Sequence, residues 1–437
     1  MRRSLAPGAA LALALAAPVA AGAQTESRVS ADVSASLGYS NNPFTDFGGS
    51  TGAALATVDI APRYQLLTER STVTVSADAN FQQYLRRYGH NDSYLGAVDY
   101  QGRPSEHLAA HARLDLSSSV LGAFNSSLPL GVGGSFAPIT LAPTTGTDAA
   151  AIGAGATTLQ PVTVVSPLTP YADVGLFGLR NRRRTGRASG DLSFTLSSRD
   201  SLSVSAYGEV TRYHDLRDGD YEGFGGSLGY QRQVSARLGI GLTGSASTYN
   251  YHGNLPDNQI YSVQATASAR LSDVWSASGG LGVSFVNGGN GRSTSSTSLS
   301  GNVDLCRRGP HSSMCLQASR QVAPTGLAGS QYVTTAGLTW TRQLDEKQNL
   351  SLSGTYSKVG NDTLLASGPV LPVANGFSYQ NEYVQAAAGY TRRLAPRLRL
   401  AASVNYRQLL GDNNRQAGRP ADYGGQIGLS YRLGDSR

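Results

Sequence analysis

Long apolar runs are missing from this chain. No uninterrupted stretch of about 20 apolar residues, the length a membrane-crossing helix requires, occurs anywhere in it. Also missing are the Leu-, Ile-, Val- and Phe-rich core segments that two or three soluble domains would need across 437 residues. Charge is scarce, at 15% of residues, yet mean hydropathy stays below zero at −0.22. What fills the space is Gly, Ser, Ala and Tyr alternating with polar residues, the composition of a wall that is apolar on one face and wet on the other.

The first residues form a unit of their own. Arg2 and Arg3 precede an apolar stretch from Leu11 to Ala17 and the small residues Ala21-Gly22-Ala23. This is the pattern of a signal peptide cut after Ala23, so residues 1–23 are expected to be removed and residues 24–437 to work outside the cytoplasm. The formal charge of +7 falls to +5 once Arg2 and Arg3 leave. Nearly all of it is arginine, scattered through strands and turns rather than gathered on one stripe, and the chain is exported; nucleic acid is not expected as a partner.

Period-two alternation is the main signal. Val73, Val75, Ala77, Ala79 and Phe81 alternate with Thr74, Ser76, Asp78, Asn80 and Gln82, and Leu202, Val204, Ala206, Gly208 and Val210 alternate with Ser203, Ser205, Tyr207, Glu209 and Thr211. Segments of this kind start near Val29, Thr57, Val73, Tyr94, Leu108, Arg184, Leu202, Phe224 and Leu238, then near Ile260, Val274, Thr297, Leu316, Tyr332, Leu350, Glu382, Leu398 and Gly425. That predicts an all-β, antiparallel up-and-down transmembrane barrel of eighteen strands, with sixteen as the fallback because bacterial single-chain barrels have even strand numbers. Short connections such as Thr68 to Ser71, Ser105-Glu106, Ser198 to Asp200, Ser235-Ala236, Ser272-Asp273 and Ala395-Pro396 alternate with longer ones, and the long set is expected to face outward.

Trp275 and Phe285 share a face ten positions apart, which spans roughly 25 Å along the membrane normal for a tilted strand, the height of a barrel's apolar band. They read as girdle aromatics. A soluble sandwich would have strands of about 5–6 residues, shorter than these, and a solenoid would show a fixed repeat, which is absent.

Near the mature N-terminus, Ala35-Ser36-Leu37-Gly38-Tyr39-Ser40 leads into the turn Asn41-Asn42-Pro43-Phe44. This resembles the outer-membrane β-barrel porins found with exopolysaccharide and surface-polysaccharide systems, the rest of the likeness being strand architecture from Val29 to Leu433. The resemblance implies a porin-like channel for polar solutes in the bacterial outer membrane, serving surface-polysaccharide secretion or standing as a non-conducting structural or secretion-assisting barrel; an outer-membrane enzyme is the remote alternative. Outer-membrane lipid, the barrel-assembly machinery and anionic solutes or polysaccharide are its implied partners. Many such barrels end on an aromatic residue, whereas here Gly434-Asp435-Ser436-Arg437 follows the last strand. In porins, which this architecture resembles, the third outer loop folds into the bore; here that loop is residues 122–181, poor in charge, with Asp148 and Asp173 the only acids between Gly122 and Leu179, and a mobile surface loop outside the bore is the alternative.

Parity sends Asp59, Asp78, Asp99 and Asp115 into the lumen from strands two to five, and Arg187, Arg399, Arg407 and Arg432 from strand six and the closing strands. Such walls would set a field across the pore, although Arg63, Arg103 and Arg113 allow local pairing instead. Arg180, Arg182, Arg183 and Arg184 would form a basic cluster at the outer mouth. Cys306 and Cys315, the only cysteines, flank a hairpin turn on the side of an oxidising periplasm and are expected to form a disulfide; zinc with His311 would lack a fourth ligand. No catalytic, cofactor or metal residues are expected. His90, His107, His111, His214, His252 and His311 read as surface or lumen polar groups, no Glu separates His107 from His111, and Gly223 to Gly226 and Gly279 to Gly282 sit inside strands rather than in phosphate-binding loops.

Overall fold

The computed structural model describes residues 25–46, 51–123, 173, 176–177, 180–253, 255–289, 295–326, 329–360, 381–410 and 420–434. Residues 1–23, expected as a leader, lie outside these, as does most of the connection expected to fold into the bore. The strands are β1 (Glu26–Ser40), β2 (Ala53–Leu67), β3 (Ser71–Tyr84), β4 (His90–Ser105), β5 (Leu108–Val120) and β6 (Arg182–Thr195). The next six are β7 (Asp200–Tyr213), β8 (Tyr221–Ser235), β9 (Leu238–Tyr251), β10 (Asp257–Arg270), β11 (Trp275–Gly289) and β12 (Ser295–Arg308). The last are β13 (Ser312–Thr325), β14 (Gly329–Asp345), β15 (Gln348–Gly360), β16 (Asn381–Arg393), β17 (Leu398–Leu410) and β18 (Asp422–Gly434).

Each strand pairs antiparallel with its sequence neighbours, and β1 also pairs with β18, from Ser30 opposite Gly434 to Ser40 opposite Gly424. The sheet therefore closes on itself with eighteen strands and has no free edge. All eighteen expected segments are strands, and the fallback of sixteen falls away. They run from 13 to 17 residues, longer than the ten or so that cross a bilayer, so their ends stand beyond the apolar band.

Alternation becomes a two-faced wall. On β3, Val75 and Phe81 are exposed on the outside while Asp78, Asn80, Gln82 and Tyr84 are buried inside. On β1 and β11, Leu37 and Leu281 are more than 60% exposed, part of an apolar outer face that recurs from strand to strand. Outward aromatics gather at two levels. Tyr39, Phe81, Tyr94, Phe224, Tyr261, Phe285 and Tyr423 lie toward one rim, and Tyr64, Tyr230, Trp275 and Tyr431 toward the other.

The rims differ in their connections. At one, two- to four-residue turns are held by hydroxyl caps: the Thr68 Oγ1 accepts from Ser71 N at 2.9 Å, Ser197 Oγ from Asp200 N at 3.1 Å, and Ser272 Oγ from Trp275 N at 3.1 Å. The other rim carries every long connection, including that between β5 and β6. Buried apolar side chains collect at this long-loop rim, inside the bore.

Candidate functional site: the bore and its long-loop mouth

Cross-strand register fixes which side chains face the bore, because residues directly opposite each other in an antiparallel pair point to the same side. By that test all eight expected lumen charges face inward: Asp59, Asp78, Asp99 and Asp115, and Arg187, Arg399, Arg407 and Arg432. Most are neutralised where they stand. His111 Nε2 lies 2.8 Å from Asp99 Oδ2 and its Nδ1 3.3 Å from Asp191 Oδ2. Arg113 pairs with Asp115 at 2.8 Å, Arg187 stands 3.7 Å from Glu209 and 4.8 Å over the Tyr207 ring, and Arg432 forks onto Asp32 with two contacts of 2.9 Å. Asp59 and Asp78 differ: both are buried in the wall beside Asn80, whose Nδ2 donates to Asp59 Oδ2 at 3.4 Å, with no arginine paired to either among the described residues.

Arg407 is the hub of the mouth. Its guanidinium donates to Asp422 Oδ2 from Nε at 2.9 Å and from Nη2 at 2.6 Å, with both side chains almost wholly buried. The remaining N–H groups reach the carbonyls of Gly122 at 3.2 Å, Ala123 at 2.9 Å and Pro43 at 3.2 Å. Asp422 Oδ1 in turn accepts from Ser40 Oγ at 2.5 Å and Asn42 N at 3.2 Å. Asn42 Nδ2 donates to Pro420 O at 3.2 Å and Asn41 Nδ2 to Ala421 O at 3.1 Å. The Asn-Asn-Pro turn is thus a clasp across the seam where the first and last strands meet.

The connection between β5 and β6 enters the bore at both of its described ends. Leu121 N donates to Asn181 O at 2.9 Å, bringing the two limbs together. Asp173, 2% exposed, accepts from Arg183 Nη1 at 3.0 Å, from Tyr213 Oη at 2.6 Å and from Gly326 N at 2.9 Å. Gly326 belongs to the turn between β13 and β14, seven strands away around the ring from β6, so this carboxylate ties the limb across the lumen. Leu176 is fully buried, and Phe177 sets its ring edge-on against Tyr383 of β16 at 5.3 Å. Gly122 has φ +72°, and a Cβ there would lie 3.0–3.1 Å from Phe177, so both conformation and space call for glycine. Residues 124–172 lie outside the described residues.

The four arginines expected to cluster at this mouth are separated. Arg183 turns inward onto Asp173, and Arg180 lies over the rings of Phe44 and Tyr88 with Asp46 at 2.8 Å. Arg182 points outward onto Asp92 at 2.9 Å, and Arg184, also outward, stands opposite Arg212. Parity explains the split, since successive strand residues face opposite sides. Sequence patterning singles out neither Asp422 nor Asp191 as partners, and marks Asp173 only as a loop charge. For Asp422 and Asp191 the signal was present, because each shares the parity of an inward residue on its own strand, Arg432 and Arg187.

Cys306 and Cys315 stand directly opposite in the β12–β13 register and are joined as a disulfide. Trp275 and Phe285 both face outward at opposite levels of β11.

No protein-family model matches the chain, and no curated protein does. Among solved structures, Pseudomonas aeruginosa OccK2 (OpdF) in complex with glucuronate is similar at 10% identity and TM-score 0.43, with 94% of this chain and 98% of that one covered. Acinetobacter baumannii OccAB3 is similar at 8% identity and TM-score 0.43, covering 94% and 100%. The anion-selective porin from Comamonas acidovorans is similar at 10% identity and TM-score 0.37, again covering 94% and 100%. Likeness at this level assigns no activity, solute or partner to the chain.

Proposed function

We propose that this chain is an outer-membrane channel of a two-membrane bacterium that passes small polar solutes, with the β5–β6 connection setting the width of its bore. The closed eighteen-strand wall, apolar outside and polar inside, carries the reading, since a wet lumen is of use only to what crosses it. Residues 1–23 serve as a cleaved leader, the long-loop rim faces outward, and the barrel sits in outer-membrane lipid after insertion by the assembly machinery. Catalysis forms no part of this reading.

A role in surface-polysaccharide secretion rests on the resemblance of the Asn-Asn-Pro turn, and that turn has a sufficient mechanical use in clasping the seam. Local pairing also makes a strong transverse field in the lumen a weaker idea than mild selectivity.

Purified barrel in a planar bilayer should give discrete single-channel steps; a folded barrel that stays silent would favour a structural or secretion-assisting role. The double variant D173A/F177A, which cuts the limb from Arg183, Tyr213, Gly326 and Tyr383, should raise unit conductance severalfold. Unchanged conductance would place the width-setting element elsewhere. Charge reversal of Arg399 should move the reversal potential toward cation preference, whereas Arg407 is unsuited to that test because it holds the mouth together.

A further inference from the structure

The wall is least continuous between β12 and β13. Their ladder runs from Arg308 opposite Ser313 only as far as Gly301 opposite Arg320, although β12 begins at Ser295 and β13 continues to Thr325. Above that level residues 295–300 keep their pairing with β11, and residues 321–325 keep theirs with β14. No register pair joins these two stretches, and the ladder is the shortest in the ring among the described residues. Pro324, which has no N–H to give a neighbouring strand, lies where the strands have parted.

The parted end of the β13–β14 pair leans into the bore. Strands in a sheet lie about 4.8 Å apart, so β14 is roughly 19 Å along the wall from β10, four strands away. Yet a Cβ on Gly329, the first residue of β14, would come within 3.2 Å of Asn258 Nδ2 on β10, and one on Gly326 within 2.6 Å of the Tyr213 ring on β7. Gly326 N donates to Asp173 at 2.9 Å, and the Tyr332 hydroxyl lies 3.2 Å from Ser296 Oγ. Ser296 stands opposite Val286, and Val286 opposite Ile260, in the apolar cluster inside the mouth. Tyr332 has the parity of the outward Leu338. An outward tyrosine of β14 meets an inward serine of β12 only if the end of β14 has passed behind β12.

The parted end nevertheless carries the alternation of a wall strand. Val322, Pro324 and Tyr332 share the outward parity of the exposed Leu316 and Leu338, and Gln321, Thr325 and Gln331 alternate with them. Here Tyr332 is 7% exposed, Pro324 is buried, and Val322 packs against the cluster inside the mouth. Continued upward, the existing register would set Ser300 opposite Gln321, Ser298 opposite Ala323 and Ser296 opposite Thr325. One sequence thus suits two positions. The Cys306–Cys315 disulfide joins the strands below the parting, so the separation is covalently kept from running down the wall.

We propose that residues 321–326 and 329–333 form a hinged gate, swinging about Gly301 and Arg320 between the inward position, which narrows the mouth, and a position in the wall, which widens it. In the wall position β13 pairs with β12 along residues 296–300, replacing contacts released inside, and Val322, Pro324 and Tyr332 turn to the outer face. The effect on conductance rests on the channel reading; the movement itself does not.

Ser298 and Ala323 lie an even number of positions up the register from Cys306 and Cys315, so in the wall position they share that pair type and suit a disulfide. In S298C/A323C, oxidant added to the folded barrel should cross-link positions 298 and 323, as read by mass spectrometry of proteolytic fragments. Unit conductance should then rise severalfold and fall back in reductant, which should leave the wild-type conductance unaltered. A folded variant that does not cross-link, or a conducting one whose conductance is the same before and after cross-linking, would overturn the gate. Should the variant fail to fold, recordings of the wild type and Y332F decide. Exchange between two conductance levels is expected, with Y332F, which loses the contact with Ser296, dwelling longer in the higher; a single level, or an unshifted balance in Y332F, would overturn the proposal. Cross-linking in a barrel that passes no current would overturn the channel reading and leave the movement; a steady single-level current from a barrel that does not cross-link would do the reverse.

Discussion

The long-loop mouth and the short-turn half of the bore are built from the same strands, yet they are held together differently. At the mouth, inward side chains are large and packed: Tyr84, Tyr221, Leu55 and Val333 are at most 1% exposed, loop residues Leu176 and Phe177 cluster with Tyr221 and Val333, and Ala123 clusters with Leu55 and Tyr84. Its ion pairs, Arg407–Asp422 and Arg183–Asp173, are buried. Toward the other rim, pairs such as Arg113–Asp115 and Arg432–Asp32 keep a quarter or more of each side chain in contact with water. The difference shows where a barrel of this width keeps its core. The wall alone encloses too much space for side chains to fill, so an apolar core forms only where the chain returns into the lumen and supplies the missing partners.

The largest expected effect tests the mouth. D422A removes the carboxylate onto which the buried Arg407 guanidinium forks and releases the seam clasp, which should cost about 3–5 kcal/mol in denaturant unfolding of the refolded barrel. A loss near that of a surface pair would show that the mouth is not a core. Next, C306S/C315S should cost about 2–3 kcal/mol, the loop-closure value for so short a hairpin, with conductance through the mouth unaltered. If the double serine variant changes unit conductance, the two ends of the barrel are mechanically coupled and the comparison fails. Smallest of all, R113Q should shift stability by less than about 0.5 kcal/mol, because that pair is screened by lumen water. A cost several times larger would mean the lower bore is drier and better packed than its exposure indicates.

Every strand was legible from alternation, since a barrel wall with apolar residues on its outer face and polar ones toward the lumen writes period two directly into the chain. The same parity placed Asp59, Asp78, Asp99, Asp115, Arg187, Arg399, Arg407 and Arg432 inside. Alternation carries no information about which inward charges touch, and so it could not foresee that His111 bridges Asp99 and Asp191. The run Arg180 to Arg184 is parted by the same parity, which the sequence reading does not apply to it because it starts strand six near Arg184 rather than Arg182.

The sequence by itself determined the barrel, its two faces and the disulfide, because each follows from local periodicity or from neighbours on one hairpin; closure of β1 on β18 settled eighteen strands over sixteen. Only the tertiary structure decided the mouth. Asp173 meets Gly326 from across the ring, Arg407 meets Gly122 and Ala123, and Asn42 meets Asp422 over a separation of 380 residues. Contacts of that range depend on closure of the whole sheet, and no local pattern encodes them.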